Sequence, residues 1–171
     1  VAIIYALCDR LGDGPGQLQD IELWTQCSTL AAPVLRKRDP EARWCLLHDF
    51  FFTGETRCWN DANRSVDWGH WGWSAGMCYL YSRWARHEKE RSAIDWAVVA
   101  SAPPENGMVN FAYGVANSMT AVQSAKKLAI EIRQDYPWCE GGRSMTLPVE
   151  EVDCFVEVDP SDPRFRWPQV D

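Results

Sequence analysis

Three short stretches carry residue types that could do chemistry. Asp9 precedes Gly12-Asp13-Gly14-Pro15-Gly16, a glycine loop whose backbone N–H groups could face an anion. His48-Asp49 interrupts the apolar run 44–52, where an unpartnered polar group would be costly. Asp67-Trp68-Gly69-His70-Trp71-Gly72-Trp73 combines flat rings, glycines and a histidine, whose ordinary pKa lies near neutrality. The chemistry these imply is that of a phosphate-bearing ligand such as a nucleotide. Gly12, Gly14 and Gly16 would cradle the phosphate, and Asp9 and Asp49 would place a divalent cation such as Mg against its oxygen. His48 or His70 would move a proton, and Trp68, Trp71 and Trp73 would stack on the ligand as a lid.

Each feature also has a plain structural reading. The spacing G-x-G-x-G is not the dinucleotide fingerprint G-x-G-x-x-G, and no lysine stands where a phosphate-binding P-loop needs one. A tight turn explains the glycines equally well, Asp9 could cap that turn, and tryptophans in a long loop commonly pack a satellite core. His48 and Asp49 are neighbours on one expected strand and point to opposite faces. No H-E-x-x-H motif is present.

The elements that must position these groups follow from periodicity. The apolar run 2–8 reads as a buried strand, 17–32 as an amphipathic helix stopped by Pro33, and 44–52 as a second buried strand, together a βαβ unit. Its two parallel strands would bring Asp9, the glycine loop, His48 and Asp49 to one C-terminal sheet edge. Residues 53–73 form a Trp-rich insertion loop. A helix over 74–91, strands over 94–100 and 108–113 joined as a hairpin, a helix over 118–135 and a last strand over 152–158 complete the order. The expected fold is α/β or α+β: one mixed-sheet domain over 1–159, β-α-β-loop-α-β-β-α-β, followed by a Pro-rich acidic tail at 160–171. From residue 44 the order equals that of a ferredoxin-like sandwich with an N-terminal strand-helix extension.

Composition narrows the partners. The 171 residues carry a net charge of −7, and from 149 to 171 seven acids face two arginines. That balance argues against broad nucleic-acid binding, leaving single-stranded binding through tryptophans and arginines as the weakest reading. The longest apolar run is eight residues, too short for a membrane helix. Seven widely spaced cysteines without C-x-x-C suit free thiols of a reducing, intracellular compartment. The leading expectation is a phosphate-bearing small-molecule ligand, with metal-assisted hydrolysis or transfer. The alternative is a noncatalytic binding or assembly subunit that meets a protein partner through exposed aromatics and an acidic edge strand.

Overall fold

Ile4, Cys8 and Leu11 recur at helical spacing and pack into one core cluster. In the computed structural model, residues 2–8 accordingly belong to a helix, α1 (Ala2–Arg10), not to the expected strand. A short apolar run fits either period, and burial of positions i, i+4 and i+7 decided for the helix. The structure describes residues 2–25, 31–49, 54, 56–57, 66–67, 94–114, 118–142, 144–162 and 164. The chain divides into two compact units, Val1–Trp71 and Gly72–Asp171.

In the first unit, β1 (Ile21–Thr25), β2 (Cys45–Asp49) and the short β3 (Val66–Asp67) pair in parallel in the order β1-β2-β3. β1 lies where a helix over 17–32 is expected. Ile21 and Leu23 pack on the core, a period of two that the looser spacing of three and four conceals. Pro33 does not stop that helix. It stands in the first turn of α2 (Ala31–Arg38), where its missing N–H costs no hydrogen bond. The Asp39 carboxylate is buried and accepts backbone N–H bonds from Arg43 (2.8 Å), Trp44 (2.8 Å) and Cys45 (2.9 Å), fixing the entry to β2. Arg38 donates from Nε to the carbonyl of Cys8 (3.0 Å), which also accepts from Leu11 N–H, and from Nη2 to that of Leu11, tying the end of α2 to the end of α1.

The second unit contains β4 (Ile94–Ser101), β5 (Met108–Asn110), α3 (Ser118–Ser124), β6 (Ala125–Arg133), β7 (Thr146–Pro148), a 3-10 turn (Val149–Glu151) and β8 (Cys154–Val158). β4, β6 and β8 form a parallel sheet in the order β4-β6-β8, while β5 pairs antiparallel with β7. The expected helix 118–135 ends at Ser124. Residues 128–133 are buried without a break, as in a central parallel strand covered on both faces, and Ile130 and Ile132 favour extended backbone. Leu128, Ile130 and Ile132 share their core with Ala97, Val99, Val109, Phe111 and Leu147.

Mixed α/β architecture is therefore the observed class. The all-parallel β4-β6-β8 ladder differs from the ferredoxin-like layout, which would place antiparallel strands side by side. At the expected hairpin, Asn106 and Gly107 both have positive φ (50° and 76°), the two-residue turn that suits right-twisted strands. Ala102 N–H reaches Asn110 carbonyl (2.9 Å), but β5 forms its ladder with β7 rather than with β4. Among the described residues no helix is long and apolar enough to cross a membrane.

Cys8 and Cys45 are buried in the first core, and burial chiefly pushes their thiols up to about 11 and about 12. Both are protonated at neutral pH and poor nucleophiles. Iodoacetamide at pH 7.5, read by peptide mass mapping, is expected to label Cys154 and Cys139 in the native protein, and Cys8 and Cys45 only after denaturation. Native-state labelling of Cys45 would refute its burial.

Candidate functional site

The first unit places His48 and Asp49 where the sequence puts them, at the C-terminal end of a parallel strand. Their register partners on β1 are Trp24 and Thr25. The His48 ring stacks on Trp24 with centroids 3.9 Å apart and planes 5° from parallel, and its Nε2 lies 3.7 Å from Glu22 Oε2. On the opposite face, Thr25 Oγ1 donates to Asp49 Oδ1 (3.1 Å). Asp49 is 1% exposed, so this edge carries a buried carboxylate beside a hydroxyl on one face and a stacked imidazole on the other.

Asp9 and the glycine loop stand elsewhere. Asp13 of that loop accepts from Trp44 Nε1 (2.7 Å) and Arg43 Nη2 (3.2 Å), residues that lead into β2, so the loop sits at the N-terminal ends of β1 and β2. Asp49 is four residues along β2 from its start, roughly 13 Å at the rise of a strand. Asp9 lies in the last turn of α1, two residues before the loop begins at Leu11. The two carboxylates are thus not drawn together as a pair that would grip one cation. Because 2–8 is helical, Asp9 does not end a strand.

The loop's polar groups are also occupied. Gly12 N–H donates to Leu18 carbonyl (3.1 Å), Gly14 N–H to Gln17 Oε1 (2.7 Å), and Arg10 Nη2 to Gly16 carbonyl (3.2 Å). Gly16, at φ 76°, supplies the left-handed residue of the turn. This loop leads into β1 and not into a helix N-terminus. Among the described residues no group of three or more His, Cys, Asp or Glu is placed to hold a metal. His70, Trp68, Trp71 and Trp73 lie outside the described residues.

The second unit has a pocket that the sequence analysis did not single out. It measures about 410 Å³ and lies between the turn after β4, with Glu105 and Asn106, and the loop after β6, with Trp138 to Gly142. Both loops follow C-terminal strand ends, the edge at which open α/β sheets bind ligands. Asn110, 1% exposed, ties the two sides together. Its Oδ1 accepts from Ala112 N–H (2.8 Å) and Cys139 N–H (3.2 Å), and its Nδ2 donates to Cys139 carbonyl (2.9 Å). A Cβ at Gly141 would lie 2.4 Å from Met145 Cγ, so glycine permits the close approach of this loop to Met145.

Arg133 anchors the start of the loop. It is 4% exposed and donates to both Asp135 oxygens, from Nε at 2.9 Å and Nη2 at 2.8 Å, with its guanidinium over the Tyr136 ring. The hydrogen bond from Arg133 holds the Asp135 carboxyl below the usual carboxylate range, and the same bond raises Arg133. The sequence signal for this site was the pair of turn clusters, Pro103 to Gly107 and Pro137 to Gly142. An expected helix through 135 hides their juxtaposition, because it removes the strand end between them.

The second unit is thus a mixed α/β fold with a parallel β4-β6-β8 sheet and a pocket beside its C-terminal strand ends. Residues 65–164 match the family model of the acetyl-CoA hydrolase/transferase N-terminal domain, and the chain belongs to that family. RipA from Yersinia pestis has a similar structure, with a TM-score of 0.74 at 18% identity over 92% of this chain and 36% of that one. The 4-hydroxybutyrate CoA-transferase of Porphyromonas gingivalis aligns with a TM-score of 0.55 at 13% identity, covering 91% of this chain and 38% of its own. These likenesses show the fold, and the chain spans little more than a third of either structure. No curated protein matches the chain.

Two outcomes test this geometry. Asn110→Ala, which removes three hydrogen bonds from a buried position, is expected to cost about 2 to 3 kcal/mol in urea unfolding; a loss below roughly 0.5 kcal/mol would show that the amide does not hold the loop. Since Asp135 is lowered in the folded state, its contribution is fully present above the unfolded carboxylate value, roughly 3.9, and is lost as pH falls through the folded value. Asp135→Asn should therefore reduce stability at pH 7 and flatten the acid limb of stability against pH. An unchanged acid limb would contradict the pairing with Arg133.

Proposed function

We propose that this chain handles coenzyme A within an acyl-CoA hydrolase or CoA-transferase, binding the coenzyme at the C-terminal edge of the β4-β6-β8 sheet. The observation that carries the reading is the family match over 65–164, which spans β4 to β8 and the whole pocket. Coenzyme A is a phosphate-bearing nucleotide derivative, so the proposal narrows the ligand class expected from sequence and moves it from the first unit to the second. In a hydrolase, water adds to the thioester carbonyl and the thiol of coenzyme A leaves with a proton. In a transferase, a carboxylate receives the coenzyme and the original acyl group departs as a carboxylate. The role proposed for this portion is to bind and orient the thioester.

A ligand that binds only the native state raises apparent stability by about 2.7 kcal/mol at a hundredfold excess over Kd. Coenzyme A and acetyl-CoA are expected to raise the melting temperature of the 171-residue chain in a dose-dependent way, and calorimetric titration should saturate at one site. A flat response to both ligands in thermal shift and calorimetry would overturn the proposal.

A further inference from the structure

We infer that the pocket receives the uncharged, amide-bearing pantetheine arm of coenzyme A and not its phosphates, an inference that rests on the functional reading above. Two carboxylates, Glu105 and Glu140, line it from opposite loops, with Asn106, Thr146, Trp138 and Met145 between them. A diphosphate set between two carboxylates would meet like charge on both sides. The nearby guanidinium of Arg133 is committed to both oxygens of Asp135 and does not line the pocket.

An amide chain meets the opposite situation. Its N–H groups and hydroxyl donate to carboxylates in charge-assisted bonds, its carbonyls can accept from the Asn106 amide and the Thr146 hydroxyl, and its methyl groups suit the Trp138 ring and the Met145 thioether. Asn110 is not needed for this recognition, because its side chain already holds the Cys139 backbone and Ala112 N–H. A volume near 410 Å³ lies within the range of small-molecule sites. The pocket therefore selects for the neutral segment of the coenzyme and against an anionic acyl acceptor.

The test is a titration of the isotopically labelled 171-residue chain, followed by NMR, with pantetheine, adenosine 3′,5′-bisphosphate and coenzyme A in turn. Pantetheine and coenzyme A are expected to move the amides of Glu105, Asn106 and the loop from Trp138 to Gly142, and the bisphosphate is expected to leave them in place. Trp138→Ala should weaken pantetheine binding about tenfold, as loss of one ring contact does. The double variant Glu105→Gln, Glu140→Gln, which alters two exposed side chains, should weaken it several-fold if Trp138→Ala fails to fold. Bisphosphate shifts at these amides would overturn the inference, as would coenzyme A binding without pantetheine shifts. If no ligand moves any amide, the functional reading itself falls.

Discussion

The second unit depends on one strand, β6, having its backbone hydrogen bonds taken up on both edges and its side chains covered on both faces. β4 and β8 occupy the two edges in parallel register, pairing Val99 and Phe155 with Ile130 from either side. Leu128, Ile130 and Ile132 join the core on one face, while Ala129, Glu131 and Arg133 are buried on the other. Parallel strands tolerate this because neighbouring elements cover both faces. Once β6 is central, the residues after Arg133 must leave at the C-terminal edge, beside the turn that follows β4. The pocket is a consequence of that exit.

Polar residues fix what the apolar ones leave loose. Arg133 and Asp135 brace the first residues beyond β6, and Asn110 ties Cys139 to β5. In the first unit Asp39 collects three backbone N–H groups at the entry to β2, and Arg38 closes the end of α1. All four residues, Asp39, Asn110, Arg133 and Arg38, use side-chain groups to satisfy backbone or charge near loops. By comparison, the surface pair Lys126–Asp95, at 2.7 Å and largely solvated, contributes little.

The candidate sites divide by unit. Charge and glycine drew the sequence reading to Asp9, the loop 12–16 and His48-Asp49, and the structure separates the first two from the last along the length of β2. The loop spends its donors on Gln17 and Leu18, which only the folded turn brings into reach. His48 meets Trp24 by strand register, a pairing that no local spacing announces. The family match covers the second unit's pocket, where turn residues were legible but their juxtaposition was not.

Local sequence determined the mixed α/β class, the strands β2, β4 and β8, the Asn106-Gly107 turn and the absence of any apolar run long enough for a membrane helix. These follow from short-range properties: continuous or alternating apolar runs, two residues that tolerate positive φ, and a count of consecutive apolar side chains. Tertiary structure alone decided that 2–8 is helical, that 21–25 and 125–133 are strands, and that β5 pairs with β7. In the first three cases the apolar spacing satisfied two periods at once, and the choice fell to whichever one buried its side chains against distant neighbours and completed their backbone hydrogen bonds.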